Sequence, residues 1–311
     1  MTIAFLSDAD KTGEWARALA QELPGEDIAI GTDAALAHAA DIDAAVVWYP
    51  RPGVLTQMPG LRAIFSLGAG VDHVFTDPAL PDGIPIVRLI DPALTEQMTE
   101  WVVMNVLRHH RLMPTYARLQ AAGQWRRHDI PRARARRVGL MGLGELGRAA
   151  AQALTPFGFP LAAWVRNARD WSGGKLFVGA DGLVPFLTRS DIVVCLLPLT
   201  PETEGILDAR AFACLPEGAA VINGARGGHV VAPDLIAALD SGHLTAATLD
   251  VFNPEPLPES DPLWHDPRIT ITPHVAALTL ADTAAREIAR NIIRLRAGQP
   301  MTGLISPGRR Y

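Results

Sequence analysis

The stretch Val138-Gly139-Leu140-Met141-Gly142-Leu143-Gly144-Glu145-Leu146-Gly147 decides how this chain folds. Its first four residues read as a short buried strand, the alanine-rich run 148–154 continues as a helix, and the apolar run Leu161–Val165 supplies a second strand. A GxGxxG turn between a strand and a helix is the dinucleotide-binding fingerprint in its proper setting. Gly142 permits the tight turn, Gly144 lets the backbone approach a pyrophosphate, and Gly147 brings the helix close to the sheet. The first N–H groups of that helix, those of Glu145 and Leu146, are then available to the anion. The Glu145 carboxylate has to point to solvent, because a negative charge beside a pyrophosphate is unhelpful.

Working outward, the pattern repeats on both sides. Upstream, residues 3–7, 44–49, 61–67 and 84–89 read as strands, with helical periods over 12–23 and 96–112, the latter ending before Pro114. Downstream, residues 192–197, 220–223, 245–251 and 269–272 are further short apolar strands. Strands alternating with helices imply parallel sheets, hence an α/β chain with two doubly wound domains. The last helix, 282–296, is free to return to the N-terminal domain, which would make that domain discontinuous. We draw it as 1–98 with 279–311, and the dinucleotide-binding domain as 99–278.

Composition narrows the function. The chain has 311 residues, 49% of them hydrophobic and 20% charged, which fits an ordinary globular protein of two domains. A net charge of −5 argues against a nucleic-acid or anionic-membrane binder. The six arginines between Arg126 and Arg137 carry no interleaved aromatic platform and read as a solvated connector. Cys195 and Cys214 have neither disulfide-framework density nor metal-ligand spacing, so both are expected to be core thiols and no metal is expected. Met1–Leu6 is followed at once by Asp8 and Asp10, without a basic segment ahead of a full apolar stretch. The expectation is a cytoplasmic protein with no membrane partner.

Ligands of doubly wound sheets gather at the carboxyl ends of the strands. Here those ends carry Pro198-Leu199-Thr200, Gly224-Ala225-Arg226-Gly227, Asn253-Pro254-Glu255-Pro256 and Pro273-His274. Arg226 is an anion clamp, His274 a titratable imidazole and Glu255 a carboxylate able to orient it. Together they are what carbonyl reduction by hydride needs. The turn Gly68-Ala69-Gly70-Val71 offers N–H groups that can hold a small anion. Cofactor preference is also legible. An NAD site places an acid about 20 residues beyond the glycine turn, yet residues 148–169 contain no Asp or Glu, and the strand Leu161–Val165 runs into Arg166, Asn167 and Arg169. Guanidinium groups suit a 2′-phosphate, so NADP(H) is preferred, with NAD(H) possible.

The motifs Gly142–Gly147, Leu197-Pro198-Leu199-Thr200-Pro201-Glu202-Thr203, Asn223-Gly224-Ala225-Arg226-Gly227, Leu249-Asp250-Val251-Phe252-Asn253-Pro254-Glu255-Pro256 and Thr272-Pro273-His274 occur in this order between residues 142 and 274. In this they resemble the D-isomer-specific 2-hydroxyacid dehydrogenase family. Trp48, the turn Leu67–His73, Glu96-Gln97-Met98, Pro262-Leu263-Trp264 and a basic tail ending in Tyr311 are similar to the members that reduce glyoxylate and hydroxypyruvate. The resemblance implies two Rossmann-like domains with a cleft between them, and a homodimer joined through the nucleotide-binding domain. It also implies that Arg226 pairs with the carboxylate and carbonyl oxygen of a small 2-oxoacid, that His274 donates the proton, and that Glu255 holds the imidazole. Ala69 and Gly70 would take the other side of the carboxylate, with Trp48 and Met98 lining the substrate. Ala225 and Asp250 would sit by the nicotinamide, and Pro198 and Thr203 would belong to the cofactor site. Two alternatives stay open: an NAD-linked dehydrogenase of a larger hydroxyacid such as phosphoglycerate, and a nucleotide-sensing corepressor.

Overall fold

The computed structural model describes residues 2–7 and 13–306. The readings made on Asp8 and Asp10, on a helix start at Thr12 and on the tail ending in Tyr311 lie outside the described residues. In chain order the first elements are β1 (Thr2–Leu6), α1 (Glu14–Glu22), β2 (Asp27–Ile30), α2 (Gly31–Ala37), β3 (Ile42–Val47), β4 (Ala63–Ser66), β5 (Ile86–Val87), α3 (Pro92–His110) and α4 (Met113–Ala121). Then follow β6 (Val138–Met141), α5 (Glu145–Leu154), β7 (Leu161–Val165), β8 (Lys175–Val178), α6 (Gly179–Thr188), β9 (Ile192–Cys195) and α7 (Ala209–Cys214). The chain closes with β10 (Ala219–Asn223), α8 (Ala232–Asp240), β11 (Leu244–Leu249), β12 (Ile269–Ile271) and α9 (Ala281–Arg296).

These elements form two compact units, Met1–Leu94 with Leu278–Tyr311, and Thr95–Ala277. The first holds a parallel sheet of order β2-β1-β3-β4-β5, on which α1 and α9 pack against each other. The second holds a seven-stranded parallel sheet of order β12-β11-β10-β9-β6-β7-β8. Every residue of β1, β3, β4, β6, β7, β9 and β10 is buried. That is why they read as unbroken apolar runs: a parallel sheet is covered on both faces by its crossover helices. Both units are Rossmann-like α/β sheets.

Three local readings are corrected. The strands β2 and β8 escape the apolar pattern because they are edge strands, and of their residues only Ala29 is fully buried. The long helix begins at Pro92, four residues before the expected Glu96: Asp91 Oδ1 accepts the Ala93 N–H at 3.0 Å, and Pro92 takes the first helical position, where a missing N–H costs nothing. It ends before the expected Leu112, which has φ 56°, and Pro114 then lies in the first turn of α4. Cys195 is buried, and burial pushes its thiol up to about 12, whereas Cys214 is only half-buried at the end of α7. Residues 126–129 of the arginine connector are exposed, and it is tied down at its end, where Arg137 pairs with Asp191 at 2.6 Å. Among the described residues no helix is long and apolar enough to cross a membrane.

Candidate active site

The register of the second sheet lines up the strand ends. Met141 pairs with Cys195, Cys195 with Asn223, Asn223 with Leu249, and Leu249 with Ile271. The glycine turn, the loop from Leu196, the Arg226 turn, the Glu255 loop and His274 therefore all leave the same edge of the sheet. The strand order reverses between β9 and β6, so the glycine turn lies at the topological switch point, where open α/β sheets bind ligands.

The glycine turn fits a dinucleotide. Gly142 has φ +100° and is packed so that a Cβ would lie 2.8 Å from the Leu196 carbonyl oxygen. A Cβ on Gly147 would lie 2.3 Å from the Gly142 carbonyl oxygen, so α5 packs on the turn only with glycine there. Gly144 is different, since a Cβ on it would meet nothing within 4 Å, and this open side is where a pyrophosphate can approach the backbone. Gly144 caps α5 without a side-chain hydrogen bond, and the N–H groups of Glu145 and Leu146 have no partner among the described residues. Glu145 is exposed. Beyond β7, Arg166, Asn167 and Arg169 are exposed, and Arg169 Nη1 donates to the Leu143 carbonyl at 2.8 Å, which fixes this basic loop against the glycine turn.

The imidazole and carboxylate are in contact. His274 Nδ1 lies 2.7 Å from Glu255 Oε2, and Glu255 Oε1 accepts the Phe252 N–H at 2.8 Å. With Nδ1–H donated to Glu255, Nε2 is left to face a reactant. Both side chains remain partly exposed. His274 has φ 54°, unusual for a non-glycine residue and sustained only where neighbours over-determine it. Asp250 supplies that restraint. Its carbonyl accepts the His274 N–H at 2.8 Å, and its carboxylate accepts Thr272 Oγ1 at 2.5 Å, Val275 N at 3.0 Å and Ala276 N at 2.9 Å. Asp250 is buried, and its carboxylate is engaged with the backbone around His274.

Arg226 sits on a turn held by Asn223, a fully buried residue that sequence reasoning passed over. Its Oδ1 accepts Ala225 N at 3.1 Å and its Nδ2 donates to the Arg226 carbonyl at 2.9 Å. An Asn at a strand end ahead of glycine is the signal that could have marked it. A Cβ on Gly227 would fall 2.0 Å from the Phe252 carbonyl carbon, so the Arg226 turn lies directly on the loop that bonds Glu255. The guanidinium Nη1 donates to the Ala225 carbonyl at 2.7 Å. Met98 and Trp101, buried on α3, pack against Gly224. Pro198 and Thr203 fold their own loop: Thr203 Oγ1 donates to the Pro198 carbonyl at 2.7 Å and accepts Thr200 N at 2.9 Å.

In the first unit, Trp48 leaves the end of β3 and its ring packs at a tilt of 48° against His73, with centroids 4.3 Å apart. The turn after β4 is shaped by Ser66 Oγ, 2.8 Å from the Gly70 carbonyl, while the N–H groups of Ala69 and Gly70 have no partner among the described residues.

A switch-point glycine turn, with a paired imidazole and carboxylate on the same sheet edge, defines a dinucleotide-dependent enzyme of the doubly wound α/β class. The model of the D-isomer specific 2-hydroxyacid dehydrogenase NAD binding domain matches residues 103–276, and this chain belongs to that family. Glyoxylate/hydroxypyruvate reductase A of Serratia proteamaculans is 41% identical over 98% of both chains. A D-isomer specific 2-hydroxyacid dehydrogenase from Xanthobacter autotrophicus, solved with NADPH and MES, superposes with a TM-score of 0.94 at 42% identity, covering 100% of this chain and 99% of that one. An NADPH-dependent glyoxylate/hydroxypyruvate reductase from Sinorhizobium meliloti, solved with NADP and sulfate, gives 0.91 at 38% identity with the same coverage.

Proposed function

We propose that the chain reduces small 2-oxoacids, glyoxylate to glycolate and hydroxypyruvate to glycerate, with NADPH as its cofactor. The observation that carries the reading is the His274–Glu255 pair at 2.7 Å on the sheet edge that also holds Arg226 and the glycine turn. Relatives named for this reaction, and neighbours holding NADPH or NADP, support it. The residues that would hold the cofactor are Gly142, Gly144, Glu145, Leu146 and Gly147 at the pyrophosphate, Arg166, Asn167 and Arg169 at the 2′-phosphate, and Pro198, Thr203, Ala225 and Asp250 on the nicotinamide side. Bound NADPH supplies the hydride.

The protein's own residues do the rest. Arg226 binds the 2-oxoacid, and its planar fork sets the orientation of the carboxylate as well as its charge. The N–H groups of Ala69 and Gly70 take a carboxylate oxygen, and Trp48 and Met98 line the substrate. His274 delivers a proton from Nε2 to the carbonyl oxygen, so that no bare alkoxide forms, while Glu255 holds Nδ1–H and orients the ring. The unit Met1–Leu94 with Leu278–Tyr311 serves as the substrate domain and Thr95–Ala277 as the nucleotide domain. We place the protein in the cytoplasm, a reading that its unpaired cysteines support, as a homodimer joined through the nucleotide domain, where Met104, Met113 and Trp125 are exposed.

The test is steady-state turnover of glyoxylate with NADPH, in the native protein and in Arg226→Lys. Native turnover is expected, with a heavy loss of kcat/KM in the lysine variant and near-normal NADPH binding by fluorescence quenching. Absence of native turnover, or a lysine variant that keeps most of its kcat/KM, overturns the reading.

A further inference from the structure

We propose that His229 is a positioning residue that ties the turn carrying Arg226 to the loop after β9, fixing the 2-oxoacid clamp relative to the nicotinamide side of the cofactor site. The inference rests on the roles proposed above for Arg226 and for loop 198–203. His229 stands three residues past Arg226 and is fully buried. Its Nδ1 lies 3.2 Å from the Arg226 backbone nitrogen and 3.0 Å from the Arg226 carbonyl oxygen, and its Nε2 lies 3.2 Å from the Pro198 carbonyl oxygen.

Only one placement of a single ring proton satisfies these contacts. The Arg226 carbonyl already accepts from Asn223 Nδ2 at 2.9 Å and from the His229 backbone N–H at 3.2 Å, so both of its lone pairs are used. A proton on Nδ1 would be a third donor to that oxygen. It would also remove this acceptor from the Arg226 N–H and set the Nε2 lone pair against the Pro198 carbonyl. A proton on Nε2 removes every conflict: Nδ1 accepts from Arg226 N–H, and Nε2–H donates to Pro198. The network assigns that tautomer.

The ring thus bridges two loops with an acceptor on one side and a donor on the other. The Arg226 backbone is held at its N–H by His229 and at its carbonyl by Asn223. The Pro198 carbonyl is held by His229 and by Thr203 Oγ1, so both of its acceptor sites are filled from within the protein. Small displacements of a positioning group are costly in catalysis, and an imidazole buried between the two loops removes the freedom to make them.

Two substitutions separate the two ties. Asparagine places its amide near the position of Nδ1, so His229→Asn keeps an acceptor for Arg226 N–H but does not reach Pro198. Glutamine reaches the position of Nε2, so His229→Gln keeps the donor to Pro198 but loses the tie to Arg226. His229→Gln is expected to raise the KM for glyoxylate roughly tenfold, the effect of about one lost buried hydrogen bond, with the KM for NADPH little changed. His229→Asn is expected to do the reverse. Equal changes in both constants for both variants, or no change in either, overturn the proposal. A readout on the native protein needs no variant: long-range proton–nitrogen NMR of nitrogen-labelled histidine should show His229 protonated on Nε2 alone, and a ring protonated on Nδ1 overturns the tie even if neither variant folds. If Arg226→Lys leaves glyoxylate turnover intact, the substrate reading falls by itself, while the tautomer and the NADPH constant of His229→Asn still decide the role of His229.

Discussion

Acid should strip stability from the nucleotide-binding unit through one histidine. His109, buried near the end of α3, sets Nε2 2.9 Å from Thr248 Oγ1 on β11. Burial, reinforced by the neighbouring Arg108 and Arg136 charges, lowers its pKa from 6.5 to about 3. The folded protein therefore holds this ring neutral, while the unfolded chain takes up a proton near 6.5. The depressed value sets the sign: the stabilisation is complete above the unfolded pKa of 6.5 and is lost as pH falls through the window down to about 3. The loss runs at about 1.4 kcal/mol per pH unit, which gives roughly 2 kcal/mol by pH 5 and approaches roughly 5 kcal/mol at the foot of the window. Urea unfolding of the native protein and of His109→Gln, at about pH 7.5 and about pH 5, tests this, because glutamine can still bond Thr248 but does not titrate. The native protein should lose about 2 kcal/mol more than the variant over that interval, carboxylate effects being common to both. Parallel losses in the two proteins refute the argument. The result bears on function, since reduction consumes a proton and gains from low pH, whereas β11, the strand leading to Asp250, wants a neutral His109. The acid limb of activity should then report unfolding, and His109→Gln should extend it.

Replacing Arg166 with alanine should raise the KM for NADPH about 10- to 100-fold, as expected for a lost charge-assisted bond to phosphate, and leave that for NADH nearly unchanged; steady-state kinetics with both nucleotides checks this, and equal shifts refute it. Reduction consumes a proton, so its rate should fall as pH rises. In Glu255→Gln, which keeps the Nδ1 bond but removes the charge, kcat for glyoxylate should fall, and an unchanged kcat in a folded variant counts against the pair. His274→Ala should cost about 10²- to 10⁴-fold in kcat, measured at saturating NADPH.

The chain itself carries the fold class, because a strand covered on both faces leaves an unbroken apolar run, and a GxGxxG between such a run and a helix has few other uses. It carries the candidate chemistry for the same local reason: Arg226, Glu255 and His274 each follow closely on an apolar strand, and the missing acid beyond β7 is visible residue by residue. Tertiary structure decided the rest. The edge strands β2 and β8 lack the apolar run because they are only partly covered, so no periodicity marks them. The bonds that arm the site join distant residues: His274 to Glu255 across 19 positions, Thr272 to Asp250 across 22 and His229 to Pro198 across 31. Such pairs come from the order and register of β9, β10, β11 and β12, which place their carboxyl ends in one row. Local patterning reports whether a segment is buried; which buried groups meet is settled by the sheet that brings them together.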